Sequence, residues 1–168
     1  MTTPDARIRL ERSLATGFAR VCQIYGIPDV YGRIYATLYA SPRPITLEEL
    51  ADGVGLAKST VSVAVRALER YRFVVRLPRQ SDRKARFVAI TDPMDVLRDL
   101  CRYFVEPELE VGSDMIDDLR RELGAAVEAG AYTEEDARVL EHRAGELAAA
   151  LAQGRALIGQ LLRDDEGE

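Results

Sequence analysis

Apolar residues in this chain keep one rhythm, lose it, and then return to it. Leu10, Leu14, Phe18, Val21 and Tyr25 recur every three or four positions, which predicts a helix over Pro4–Gln23. Gly26-Ile27-Pro28 breaks it. A short helix follows with Tyr31, Ile34, Tyr35 and Leu38 on one face, and Ser41-Pro42-Arg43-Pro44 stops that one. Thr46-Leu47-Glu48-Glu49 reads as a capping box at the start of a third helix, with Leu47 and Leu50 inward and Gly53-Val54-Gly55 as the turn that ends it. Lys58–Arg70 is a fourth helix with Val61, Ala64, Val65 and Leu68 inward.

The period then changes. Phe73–Leu77 and Arg86–Ile90 are β-branched and aromatic runs separated by the polar, basic stretch Pro78–Ala85, which predicts a two-stranded hairpin with a long loop. Thr91-Asp92-Pro93 restarts the helical pattern, and Leu97, Leu100, Cys101 and Phe104 form its stripe. Another helix is expected over about Ser113–Ala129, carrying Ile116, Leu119, Leu123 and Val127 and ended by Gly130. A last helix opens at Thr133 and runs to about Leu162. Its positions Ala137, Leu140, Ala144, Leu147, Leu151, Gly154, Ile158 and Leu161 make a coiled-coil seam. The seam suits a dimer interface; the alternative is packing within one chain. Asp164–Glu168 reads as a solvated acidic end. The expected fold is mainly α with a small β-hairpin wing: a winged helix-turn-helix plus a helical dimerisation region. Residues 1–25 form an N-terminal dimerisation helix, 26–92 the winged helix-turn-helix and 93–168 the C-terminal dimerisation helices.

Charge sharpens this picture. The net charge of −5 over 168 residues argues against a polyanionic partner until its distribution is read. Between Gly53 and Thr91 nine basic residues face only Glu69 and Asp82, a local +7, whereas the chain from Asp92 onward carries −12. An acidic body with one basic segment suits a local phosphate-binding surface. The fourth helix turns Lys58, Ser59, Thr60, Ser62, Val63 and Arg66 outward: short polar groups and cations at the end where such helices reach base edges. The hairpin adds Arg79, Asp82, Arg83, Lys84 and Arg86, with Asp82 placed to orient Arg83. The alternatives are a solvated polar helix face and a hairpin tip charged for solubility. Their position in one motif favours double-stranded DNA as the partner.

Other chemistry is thin. No phosphate loop, metal-ligand spacing or nucleophile motif is present, so neither an enzyme nor a cofactor or metal is expected. His142 falls on the charged side of the last helix. Cys22 and Cys101 lie in helical patterns and read as small buried hydrophobes, Cys22 having a slim case as a redox sensor. No apolar run approaches a membrane span, and Met1–Arg12 is too polar for a secretory signal, so the expected location is cytoplasmic. The competing function is a winged helix that docks proteins, which would show more exposed apolar residues on the fourth helix; Val63 is the clear candidate.

Ile45–Asp92 (ITLEELADGVGLAKSTVSVAVRALERYRFVVRLPRQSDRKARFVAITD) resembles the MarR family of regulators. Gly26-Ile27-Pro28, Gly32-Arg33-Ile34-Tyr35-Ala36 and Ser81-Asp82-Arg83-Lys84 are similar to its GbsR-type branch. The resemblance implies a homodimeric transcriptional regulator, more often a repressor, whose terminal helices dimerise and whose winged lobes read a pseudo-palindrome. It puts Asp82 and Arg83 at the wing tip. It also implies release by a small-molecule effector, choline-type compounds in that branch. A quaternary ammonium needs aromatic faces, and Tyr25, Tyr35, Tyr103 and Phe104 are the candidates, although Tyr35 fits a core stripe equally well. The dimer seam is expected at Leu140, Ala144, Leu147, Leu151, Ile158 and Leu161. Two positions depart from the family: Ala57 replaces a Ser or Thr cap, so that Ser59 would cap instead, and Arg72-Phe73 replaces a Gly-Leu turn.

Overall fold

A computed structural model describes residues 3–78 and 84–163. The wing-tip residues Arg79, Asp82 and Arg83 and the acidic end Asp164–Glu168 lie outside the described residues. The chain divides into two compact units, Met1–Asp99 and Leu100–Glu168.

The first unit opens with α1 (Thr3–Ile24) and α2 (Asp29–Tyr39). They cross at Gly32, where an added Cβ would lie 2.4 Å from the backbone of Phe18 and 2.5 Å from that of Ala19. Only glycine permits that approach. Next come β1 (Ile45–Thr46), α3 (Leu47–Val54) and α4 (Lys58–Arg70), then β2 (Val74–Leu77), β3 (Arg86–Ala89) and α5 (Pro93–Leu100). The sequence predicted a two-stranded hairpin. The sheet has three strands in the order β1-β3-β2, all antiparallel, with Ile45 opposite Phe87 and Val74 opposite Ala89. β1 escapes pattern reading because two residues between Pro44 and a helix cap cannot show alternation; only pairing with β3 makes it a strand.

The capping box forms as the sequence predicts. Thr46 Oγ1 accepts from the Glu49 amide at 3.3 Å, while the Thr46 amide donates to the Glu49 carboxylate at 2.8 Å. Arg43 adds an ion pair to Glu49 at 2.7 Å. These donors, Arg43 first, hold the Glu49 carboxyl down to about 2. α3 runs two residues further than a stop at Gly53 would allow and ends at Gly55, whose φ of 69° is the left-handed C-cap. Arg33 of α2 donates to the last α3 carbonyl, Val54 O, at 2.7 Å, fixing the helix-turn-helix to α2. Ile34, Leu38, Leu50, Val61, Val65, Leu68, Val74 and Phe87 converge on one buried core.

The step from α4 into β2 is made by Arg72 in a left-handed conformation, φ 62°, which glycine adopts without strain. Its Nε lies 3.9 Å from the carboxylate of Asp99, a buried residue of α5. Asp92 rather than Thr91 caps α5, accepting from the amides of Met94 and Asp95.

In the second unit a π-helical stretch, Cys101–Val105, is followed directly by α6 (Glu106–Glu128). The expected start near Ser113 is therefore seven residues late. Two features misled the pattern. Pro107 is harmless in the first turn, where its missing N–H would have no helical partner. Gly112 is not a break but a contact: an added Cβ would meet Leu151 Cδ1 at 3.1 Å. Gly130, φ 71°, ends the helical pair's first arm, and Thr133 caps α7 (Glu134–Arg163) by accepting from the Asp136 amide at 3.1 Å. α6 and α7 pair antiparallel through Leu151 over Gly112, Leu109 over Gly154, and Arg120–Glu141 at 2.9 Å.

Candidate nucleic-acid interface

α4 is a strongly two-faced helix. Val61, Ala64, Val65 and Leu68 are buried, while Lys58, Ser59, Thr60, Val63 and Arg66 are exposed and Ser62 is half-buried. Val63 is 54% exposed, an apolar group held in water on the face that the sequence predicted to meet base edges. The helix begins at Lys58 with Ala57 as N-cap and no side-chain cap. Ser59 thus does not replace the missing cap; it lies inside the helix and stays on the outward face. Arg66 folds back along the helix, its Nε donating to Ser62 O at 3.2 Å.

Lys58 points across the turn and donates to the Glu48 carboxylate of α3 at 2.5 Å. Glu48 is held below its ordinary carboxylate range, first by that hydrogen bond, then by a backbone amide and by the charges of Lys58 and Lys84. Lys84 is exposed and Arg86 half-buried in β3, opposite Leu77. Arg76 of β2 is exposed beside them. The charge count that singled out this segment began at Gly53 and so missed Glu48. Its signal was the i to i+10 spacing of an acid and a base across a helix-turn-helix, which sequence alone does not distinguish from a solvated pair.

The other expected sites separate. Tyr35 is core: it is 5% exposed, packs edge-on against Phe18 at 4.8 Å, and donates its hydroxyl to Ile90 O at 2.5 Å. Burial, then the neighbouring Tyr39, pushes its phenol up to about 12. Tyr25 is exposed in the first unit, and Tyr103 and Phe104 are half-buried in the second. Neither unit by itself assembles the four into an aromatic cage. Burial raises the thiols of Cys22 and Cys101 above their ordinary value, the opposite of what a reactive thiolate needs. His142 is exposed. Of the seam on α7, Ala144 is buried and Leu151 sits over Gly112, so these two pack within the chain. Leu140, Ile158 and Leu161 are half-buried, and Leu147 is 45% exposed. Among the described residues no cluster of three metal-ligating side chains occurs, and no helix is long and apolar enough to cross a membrane.

Helix, left-handed glycine turn, two-faced helix and a short antiparallel sheet define a winged helix-turn-helix, an architecture of transcriptional regulators. Residues 34–78 match the IclR helix-turn-helix domain. The HTH-type transcriptional repressor OpcR of Bacillus subtilis (strain 168) is 30% identical over 67 residues, 40% of this chain and 36% of that protein. The chain thus aligns with little more than a third of the length of this curated relative. The fold as a whole is similar to the crystal structure of a transcriptional regulator at 17% identity and a TM-score of 0.57, covering 94% of this chain and 99% of that one. MepR, a transcription regulator of the Staphylococcus aureus multidrug efflux pump MepA, is similar at 16% identity and a TM-score of 0.41, covering 90% and 99%.

Proposed function

We propose that this chain is a DNA-binding transcriptional regulator that acts as a homodimer on a pseudo-palindromic operator and represses from it. The observation that carries the reading is the outward face of α4. Lys58, Ser59, Thr60, Val63 and Arg66 stand exposed on the second helix of a helix-turn-helix, and Lys84, ahead of β3, is exposed as well. Ser and Thr can take either bases or phosphates, Val63 suits a thymine methyl, and Arg66 reaches a guanine edge or a phosphate. In the sequence Arg79 and Arg83 continue the basic run, with Asp82 next to Arg83, and the MarR resemblance assigns Asp82 and Arg83 to the wing tip. Repression is supported by the short match to a repressor. The MarR resemblance, GbsR branch, supplies the dimeric and effector-responsive parts of the proposal.

Dimerisation is supported by what α6 and α7 leave uncovered. Two helices bury little by themselves: among the described residues of the second unit only Ile116, Leu123 and Ala144 are buried apolar side chains. Val111, Met115, Leu147 and Leu157 remain exposed, Leu157 at 67%. A second copy would cover such a face. For an effector, the first unit offers a cleft of about 760 Å³ with Ala36, Ile45 and Val54 on its floor and Arg12, Arg33 and Arg43 on its walls. That is a pocket-sized volume; Glu11 and Glu49 line it too, Arg43 is paired with Glu49 and Arg33 with Val54 O, so its charge is close to balanced.

The test is titration of random-sequence duplex DNA at several salt concentrations, with a Lys58→Ala, Arg66→Ala variant and an Arg83→Ala, Lys84→Ala variant alongside. The expected result is binding whose log affinity falls linearly with log salt, with slopes smaller by roughly 1 to 2 in each variant. Absence of salt-dependent binding even at low ionic strength overturns the reading and leaves a protein-docking winged helix in its place.

A further inference from the structure

We infer that Glu48 is a built-in competitor for phosphate: in the free protein its carboxylate occupies the ammonium of Lys58, and DNA has to displace it. The inference rests on the DNA-binding reading above.

The argument begins with the place of the pair. Glu48 lies in the first turn of α3 and Lys58 opens α4, so their contact at 2.5 Å bridges the two helices of the motif at the rim of the outward face. Both side chains remain substantially exposed, at 46% for Glu48 and 57% for Lys58. The pair is therefore not a buried structural tie. The helix-turn-helix is already fixed by Arg33 to Val54 O and by the capping box at Thr46. An acid is electrostatically out of place on a surface meant for a polyanion, and this one also lies within the fields of Lys58 and Lys84. As an exposed carboxylate it is ionised at neutral pH, and the Lys58 hydrogen bond lowers its pKa further.

The consequence concerns selectivity. A phosphate approaching the start of α4 meets Lys58 already paired and a negative charge beside it. Backbone contacts alone are weakened, so a site must also supply base contacts to Ser59, Thr60, Val63 or Arg66. Phosphate contacts position and base contacts specify; an acid that taxes the first raises the relative weight of the second.

Glu48→Gln keeps the size of the side chain and removes the charge. Bound to random-sequence duplex DNA across a salt series, the variant is expected to bind roughly three- to fivefold tighter at low salt, the scale of an exposed ion pair. Its salt slope is expected to steepen by up to about 1, as one more cation becomes free to release counterions. In a Lys58→Ala background the same substitution should gain about half as much in log affinity or less, because the pair no longer exists. Thermal melts followed by circular dichroism check that each variant is folded. Affinity that is unchanged or weakened by Glu48→Gln overturns the inference and makes Glu48 an organiser of Lys58. An equal gain in both backgrounds also overturns it, since net charge alone would then account for the effect. If neither the wild type nor any variant binds at low ionic strength, the DNA-binding reading itself fails, an outcome distinct from the other two.

Discussion

The two units spend their apolar residues differently. In the first, side chains from α2, α3, α4 and the sheet close on one another, and fifteen apolar residues are buried among those described. In the second, two long helices bury three of the described residues. Sequence composition does not explain the contrast, since α6 and α7 are well supplied with Leu, Ile, Val and Ala. Topology does. A sheet with three helices around it can enclose a side chain on all sides, whereas a pair of helices has a single line of contact. The first unit is built to fold on itself, and the second leaves an apolar face that the proposed dimer would cover.

The sharpest way to break that comparison is to charge the uncovered face. Leu147→Glu together with Leu157→Glu is expected to leave the helical content of the chain intact and to abolish the proposed dimer. Burial of a leucine contributes roughly 1.5–3 kcal/mol, and each substitution counts twice in a symmetric pair, so the dissociation constant should rise by several orders of magnitude. Sedimentation equilibrium reads it. A dimer of unchanged affinity would show that these residues face solvent in the assembled protein and that the interface lies elsewhere.

Next in size is a contrast between glycines. Gly32→Ala forces a Cβ to 2.4 Å from the backbone of Phe18, where nothing flexible can yield, so α1 must move off α2. A loss of roughly 2–3 kcal/mol is expected from overpacking of this kind. Gly112→Ala meets only the tip of Leu151 at 3.1 Å. A methyl can rotate away, and alanine's better helix propensity offsets up to about 1 kcal/mol. Urea denaturation of the two variants should therefore give a clear fall for Gly32 and little change for Gly112. Equal losses would mean that the α6–α7 contact is as unyielding as the α1–α2 crossing.

Legibility in the sequence follows the same division. In the first unit local signals and tertiary demands agree. The Thr46–Glu49 box, the Gly55 turn and the two-faced Lys58–Arg70 pattern could all be placed because each is fixed by chemistry within a few residues. β1 could not, since its existence depends on a partner some forty residues away. In the second unit local signals were ambiguous. Pro107 and Gly112 look like breakers, and only the position of Pro107 in a first turn and of Leu151 over Gly112 shows that they are not. The seam on α7 was visible as a 3.5-residue repeat, but a repeat does not say which of its residues meet α6 and which stay uncovered by it. Ala144 and Leu151 meet α6. In the interface, residue types marked α4, but Glu48 was invisible because its meaning comes from Lys58 across the turn.

A smaller effect tests how the first unit holds its helix-turn-helix. Thr46→Ala removes the hydroxyl that accepts from the Glu49 amide, at a cost of about 1 kcal/mol. The Glu49 side chain carries the pH dependence of the same cap. Its folded value of about 2 lies below its ordinary 4.5, so its contribution is present in full above the ordinary value and is lost as pH falls from there through 2. Stability measured between pH 5 and pH 2 should therefore fall less steeply for Glu49→Gln than for the wild type. Parallel curves would mean that the Arg43 and Thr46 contacts to Glu49 do not persist in solution.

The smallest effect has a sign that only magnitudes decide. Arg72 pays for its left-handed backbone at φ 62°, a conformation that costs a side-chain-bearing residue roughly 1 kcal/mol and glycine almost nothing. Against this stands its contact with Asp99, at 3.9 Å the outer limit of an ion pair and made by a side chain that is 58% exposed. The Asp99 carboxylate is buried, which raises the value of the contact above that of a pair exposed on both sides, but at this distance and with the guanidinium largely in water it is worth about 0.5 kcal/mol. Relief of strain should win, and Arg72→Gly is expected to stabilise the first unit by about 0.5 kcal/mol. Arg72→Ala separates the two terms, because alanine keeps the backbone cost and loses the ion pair. It should be slightly less stable than the wild type. A glycine variant less stable than the wild type would mean that the Arg72–Asp99 contact is tighter in solution than 3.9 Å, and that it helps hold α5 against the turn that leaves α4.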